Sequence, residues 1–191
     1  MHLPDVLLNA PEYWKPMDSP PTPPPSCHLM CYQPVRQCQT YWCWAAVLQE
    51  LLRCLAGQSL SQCEIVQSAL TGKMCNCLQG MECDPAVKSP CNTTEALEDL
   101  VAPRWPHQMM NAGNLSLNAL CAALGRERPV IARFEDGTGR HYAVISGLVM
   151  DVGGTYLEVA DPDGGREVQI PFQPGQVVVH ANWRLNAVFF I

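Results

Sequence analysis

The chain has 191 residues, of which 48% are hydrophobic and 16% charged, and a formal net charge of −6. Such a composition supplies one real core, with residues left over for a tail. The acidic balance argues against a nucleic-acid surface, and no apolar run reaches the length of a membrane-spanning helix. The N-terminus, Met1-His2-Leu3-Pro4-Asp5, lacks the charged and apolar regions of a signal peptide. The expectations are a cytoplasmic protein, a protein that leaves the cell by a route needing no such signal, or one whose signal has been removed.

Residues 1–34 hold nine of the seventeen prolines, including Pro20-Pro21-Thr22-Pro23-Pro24-Pro25. They read as an extended, polyproline-like leader or tether. A docking segment, an export signal and an inhibitory propeptide are sharper readings of the same stretch. Residues 35–191 read as a single domain, organised around Gln37 to Leu55. There a short polar approach ends at Cys43, and a nearly all-apolar run of good helix formers follows, stopped by Gly57. That pattern predicts a central, buried helix with Cys43 in its first turn. Ser61-Gln62-Cys63-Glu64 has the form of a capping box and predicts a second helix through Leu70, closed by Gly72. Residues 73–92, rich in Cys, Pro, Asn and Gly, read as irregular loop. Asn92-Thr93-Thr94-Glu95 reads as the cap of a short helix ending near Val101, and a further helix is expected over Leu115–Leu124, ended by Gly125.

The period then changes. Pro129–Phe134, His141–Met150, Thr155–Ala160, Glu167–Phe172, Val177–His180 and Arg184–Ile191 are short runs rich in β-branched and aromatic residues. Asp-Gly, Gly-Gly and Pro-Gly steps punctuate them, which predicts antiparallel hairpins. Helices first and strands afterwards indicate an α+β fold.

A helix start is a place for cysteine chemistry. Free backbone N–H groups and the positive end of the helix dipole meet there, and both favour a nucleophilic sulfur. Cys43 is therefore the candidate nucleophile. It needs a base within hydrogen-bond reach and a group to orient that base. His141 opens a strand just after Gly137-Thr138-Gly139 and can reach across a cleft, so it is the candidate base. His2, His28, His107 and His180 are read as surface residues. The strand Thr155–Ala160 should return beside the His141 strand and bring Asp161 near that histidine, where it would accept from the second ring nitrogen. Asp163, in the same Asp-Pro-Asp-Gly-Gly turn, is the alternative. Trp183 is read as a core residue, with shielding of the site as its other reading.

The pattern Gln37-x5-Cys43-Trp44 before a small-residue helix resembles the active-site entry of papain-like cysteine peptidases. The wider pattern comprises Cys43-Trp44-Ala45-Ala46, Ser61 to Val66, the cysteines near 75–77, Cys91-Asn92 and Gly139 to Gly147. It is similar to a short bacterial branch that includes double-glycine leader peptidases and secreted effector proteases of pathogens. The resemblance implies a two-lobed fold, with an N-terminal helical lobe carrying Cys43 and a C-terminal antiparallel sheet lobe carrying His141. It implies that Gln37 stabilises the oxyanion beside the Cys43 N–H, with Gln39 a competitor at different spacing. It implies cleavage of peptide bonds through a thioester, without a cofactor or metal, on a protein or peptide substrate. The expected setting is a delivered effector or toxin acting on target-cell proteins, met by a cognate inhibitor or immunity protein. No nucleic-acid or membrane partner is expected. The alternatives are a leader-processing protease, an amidase, deamidase or acyltransferase on the same fold, and a binding module without activity.

The chain has eleven cysteines, so ten remain besides Cys43. Cys63, Cys75, Cys77, Cys83 and Cys91 surround a loop with too few apolar residues to hold itself down. At least two disulfides are expected among these five, with Cys43 free; structural zinc and free thiols are the alternatives.

Overall fold

The computed structural model of the protein describes residues 26–70, 75 and 90–191. Helix α1 is Cys43–Ala56, ended by Gly57 in the left-handed conformation that glycine adopts without strain. Nine of its residues, from Cys43 to Leu52, are buried, as its apolar composition requires. Helix α2 is Gln62–Ala69 and starts on a complete capping box: Glu64 N–H donates to the Ser61 hydroxyl, and Ser61 N–H donates to the Glu64 carboxylate. Helix α3 is Leu97–Val101, and helix α4 is Leu117–Leu124, capped by the Ser116 hydroxyl.

Among the described residues, eight strands form one antiparallel sheet. They are β1 Ser26–His28, β2 Gln108–Asn111, β3 Val130–Glu135, β4 Arg140–Asp151, β5 Gly154–Asp161, β6 Arg166–Pro171, β7 Val179–His180 and β8 Trp183–Phe190. Their order is β2-β8-β3-β4-β5-β6, with β1 paired to β4 and β7 to β8. The α+β class is as expected. All six expected strands are present, but β1 and β2 precede them, so the strands are not confined to the end of the chain.

The β4–β5 pairing carries the site. From Asp151↔Gly154 back to Gly147↔Glu158 the register is regular; it then shifts by one residue, and Ile145 pairs with Val159. Ser146 is the extra residue of this β-bulge. Side chains alternate faces along a strand and match across it. With the bulge, one further step of the register sets Asp161 opposite Ala143, on the face that also carries His141. Without it, Asp161 would face away. Gly147, beside the bulge, lies under the contact between His28 Nδ1 and the Glu158 carboxylate, and a Cβ there would clash with both side chains.

Two expectations need correcting. The boundary expected at residue 35 falls inside the folded unit. Ser26–His28 is a strand on β4, Cys27 is bonded to Cys121 of α4, and Cys31 to Cys54 of α1. The Glu127 carboxylate also accepts from the N–H groups of Met30 and Cys31. The second is Asn92-Thr93, which does not cap α3; the helix starts after Ala96 without a side-chain cap. Asn92 instead accepts from the Tyr41 N–H, and the Thr93 carbonyl from the Trp44 indole. Most of the expected loop, and Gly72, lie outside the described residues.

Cys75 is bonded to Cys91, Cys38 and Cys63 are also in disulfides, and Cys43 is the free cysteine among the described residues. Of the two or more bonds expected among the five cysteines, Cys75–Cys91 is found; Cys63 is also in a disulfide, and Cys77 and Cys83 lie outside the described residues. Among the described residues no helix is long and apolar enough to cross a membrane.

The Cys27–Cys121 bond closes a sequence separation of 94 residues and the Cys75–Cys91 bond one of 16. Replacing each pair by serine should lower the unfolding free energy by about 4.7 and about 3 kcal/mol respectively on chain-entropy grounds. Urea unfolding measures both, and thiol titration of denatured, unreduced protein should find Cys43 reactive. Eleven titratable thiols would remove the disulfides from the account.

Candidate active site

Cys43 is the first residue of α1, and the helix start around it is held unusually firmly. Trp42 donates its indole N–H to the Cys91 carbonyl, Trp44 donates its own to the Thr93 carbonyl, and Tyr41 N–H donates to the Asn92 side chain. Three consecutive residues, Cys91 to Thr93, thus hold three of the four residues from Tyr41 to Trp44, and the Cys75–Cys91 disulfide anchors that segment. The first helical hydrogen bond is donated by Ala46 to the Trp42 carbonyl, and no side chain caps the end. The N–H groups of Cys43, Trp44 and Ala45 therefore have no partner within the helix.

His141, second residue of β4, is buried and lines the same cleft as Cys43, whose side chain is near enough to help raise the imidazole. Its Nε2 lies 2.8 Å from Oδ1 of Asp161, the last residue of β5. A carboxylate only accepts, so Nε2 carries the hydrogen, which leaves Nδ1 for Cys43. Asp161 takes two further donors: the Asp163 N–H on Oδ1 at 2.9 Å and His180 Nε2 on Oδ2 at 2.7 Å. Burial alone would raise the Asp161 carboxyl, but the hydrogen bonds from His141, His180 and the Asp163 amide outweigh it and hold the group well below the usual carboxylate range. Burial likewise disfavours charge on His141; the hydrogen bonds to Asp161 and Cys43, and their charges, overcome it and raise the imidazole from 6.5 to about 9.

Gln37 lies on the approach turn. Its Nε2 donates one hydrogen to the Thr40 carbonyl at 2.8 Å, which leaves the second amide hydrogen available, while its Oε1 is buried without a partner. Its backbone N–H donates to the Pro162 carbonyl at 2.7 Å, so the turn carrying Gln37 is tied directly to the turn that follows Asp161. The same contact demands Gly165: its φ is +61°, and a Cβ there would lie 2.7 Å from the Arg36 Cβ.

These residues share one cleft of about 790 Å³, lined by Gln37, Cys43, His141, Asp161, His180 and Trp183 among others. One wall is the β3–β4 turn, in which Asp136 accepts from the Thr138 N–H, the Thr138 hydroxyl and the Gly139 N–H. The Trp183 ring lies 5.9 Å from the His141 ring and packs over Gly139, where an added Cβ would sit 3.5 Å from it. A nucleophile–base–carboxylate series in a partly enclosed cleft, beside unused N–H groups, can carry out acyl transfer.

The structure thus brings Cys43, His141, Asp161 and Gln37 together. Asp163, the alternative third residue, is exposed and contributes its backbone N–H rather than its carboxylate. Gln39, the alternative to Gln37, is buried and accepts the Trp42 N–H on its carbonyl. The residue that sequence reasoning missed is His180, read as a surface histidine and found on Asp161. The expected strands Val177–His180 and Arg184–Ile191 did contain a signal. A tight hairpin between them sets His180 beside Trp183, and the observed register pairs these two residues.

The model of a family described as papain-like cysteine protease AvrRpt2 matches residues 29–174. No curated protein matches the chain. The matched span contains Gln37, Cys43, His141 and Asp161 and stops short of His180 and Trp183. A match over well more than half of the 191 residues, on a fold of mixed helices and antiparallel sheet, means that the chain belongs to the papain-like cysteine protease AvrRpt2 family.

Proposed function

We propose that this cysteine protease cleaves peptide bonds of a protein substrate with Cys43 as nucleophile, His141 as base and acid, Asp161 as its orienting carboxylate and Gln37 as an oxyanion donor. The observation that carries this reading is that a free, buried cysteine at a helix start shares one cleft with His141, whose ring is hydrogen-bonded to Asp161. The cleft runs between a helical lobe that supplies Cys43 and a sheet lobe that supplies His141.

The Cys43 sulfur attacks the carbonyl carbon, and its proton resides on His141. The tetrahedral oxyanion meets the second amide hydrogen of Gln37 and the N–H of Cys43. The C–N bond breaks as His141 passes its proton to the leaving amine, and a thioester remains. Water then attacks the thioester carbonyl, giving its proton to His141, and the sulfur departs with the proton returned. Asp161, ionised throughout, keeps Nε2–H bonded and Nδ1 toward the sulfur.

Disulfides at Cys27, Cys31, Cys75 and their partners persist in oxidising surroundings. They support a protease that matures outside a reducing cytosol and is delivered to act on proteins of another cell. A survey of new protein termini in lysate of a candidate target cell, comparing active protein with Cys43→Ala, tests this reading. New termini confined to the active protein are expected; their absence, or their presence with Cys43→Ala, overturns it. Cleavage only of leader peptides from the producing cell would assign the processing role instead.

Cys43→Ala and His141→Ala should each abolish turnover with the fold intact, and the double variant should be no worse, because the two act as one unit. Gln37→Ala should lower kcat by roughly 10²–10³-fold with little change in KM; a change confined to KM would make Gln37 a substrate-binding residue.

The ring of His141 holds its proton up to about pH 9. Activity should therefore fall as pH rises through that value. Asp161→Asn removes the charged acceptor whose hydrogen bond does most to raise the ring and should move this alkaline limb down by about one pH unit or more. A pH–rate profile of each protein decides it; an unmoved limb would break the link between Asp161 and His141.

A further inference from the structure

The cleft contains a second histidine that the proposed mechanism leaves unused. His180 ends β7, and a two-residue turn, Ala181-Asn182, leads to Trp183 at the start of β8. Ala181 has φ +52°, a conformation that side-chain-bearing residues seldom adopt. The turn is tight enough to put both His180 and Trp183 on the same side, toward β4 and β5. His180 Nε2 then lies 2.7 Å from Asp161 Oδ2, while its ring is 6.0 Å from that of Phe134, the residue paired with His141 on β3.

The two oxygens of Asp161 are used asymmetrically. His141 and the Asp163 N–H both meet Oδ1; His180 meets Oδ2. A carboxylate held at one oxygen can still swing about its Cβ–Cγ bond, and His141 would swing with it. A donor on the second oxygen removes that freedom. The carboxylate does not donate, so His180 must present Nε2–H, and its side chain, 20% exposed, also covers Oδ2 from water.

We propose that His180 is a positioning residue: its Nε2–H on Asp161 Oδ2 fixes the carboxylate plane and, through it, the His141 ring against Cys43. The His180 hydrogen bond is also one of those that keep Asp161 ionised despite burial. This inference rests on the catalytic roles proposed above for Cys43, His141 and Asp161.

The alternative is a latch that merely ties the β7–β8 hairpin to the sheet, and the two differ in measurable ways. The assay is cleavage of a peptide spanning a site found in the terminus survey. His180→Ala should lower kcat about tenfold to a hundredfold, the loss of one hydrogen bond to a charged group, and leave KM within about twofold. His180→Gln carries an N–H at about the reach of Nε2 and should restore kcat to within about threefold. His180→Asn, one methylene shorter, should behave as Ala and keeps the test open should Ala fail to fold. In an Asp161→Ala background, His180→Ala or His180→Asn should cost less than about twofold, since its effect passes through Asp161. Undiminished kcat in both short variants, losses that multiply with Asp161→Ala, or a Gln variant as slow as Asn would each overturn the proposal. Cys43→Ala, assayed alongside, separates the two readings. If it is inactive while the short His180 variants keep full kcat, only this inference falls; if it still cleaves, the mechanism beneath it falls.

Discussion

One extra residue in one strand decides whether this site exists. Residues on a strand alternate between faces, and a one-residue shift of register sends every following side chain to the other face. His141 lies near the start of β4 and Asp161 at the end of β5, so every pair of the hairpin lies between the connecting turn and their meeting. The bulge at Ser146 inserts the single step that makes their faces agree. Its side chain helps to hold it there: the hydroxyl is 2.7 Å from the Glu167 carboxylate of β6 and 3.3 Å from the Glu158 carbonyl of β5. Burial on both sides of this hairpin then makes slippage costly, because Ala143, Val144, Ile145, Val159 and Ala160 are all buried.

The helix side meets an opposite difficulty. A useful nucleophile needs a helix start with free N–H groups, yet a buried, uncapped helix end is costly. The chain resolves this by fixing the helix through side chains and neighbouring backbone rather than by capping it. The indoles of Trp42 and Trp44 and the amide of Tyr41 bind Cys91 to Thr93, leaving the N–H groups of the first turn unclaimed by any cap. Those three residues lie outside regular structure, and the Cys75–Cys91 bond supplies the anchoring that a packed element would otherwise give. The Gln37 N–H on the Pro162 carbonyl joins the two sides across the cleft. The Cys75–Cys91 bond thus stands at the start of a route that leads through Thr93 to Trp44 and Cys43.

What could be read from the sequence follows the range of the interactions responsible. The α1 boundaries, the Ser61–Glu64 capping box and the six later strands are written in residues within a few positions of one another, and each is found nearly as expected. Cys43, His141 and Asp161 were legible because each sits at the end of such an element. The short strands β1 and β2 were not, since three and four residues carry no period and their partners lie far along the chain. The same holds for Cys27–Cys121, whose pairing is one of many that ten cysteines permit. His180 was misread for a subtler reason. Its meeting with Asp161 requires β8 to insert beside β3, an order that the hairpin-by-hairpin reading of the sequence does not contain.

The buried charges of the site also set the conditions under which it adds to stability. The folded state raises His141 from 6.5 to about 9, so its contribution is complete below 6.5 and is lost as pH rises through about 9. The folded state lowers Asp161 from 3.8, so its contribution is complete above 3.8 and is lost only as pH falls well below that value. Both are therefore fully present between 3.8 and 6.5. Above that window the stabilisation from His141 declines while the ring keeps its proton up to about pH 9. Over that upper range the disulfides, which do not titrate, must hold the cleft together as the charged pair contributes less. The disulfide frame and the titrating pair thus support the same cleft under different conditions, the first from the Cys43 side through Trp42 and Trp44 and the second from Asp161, which takes donors on both of its oxygens.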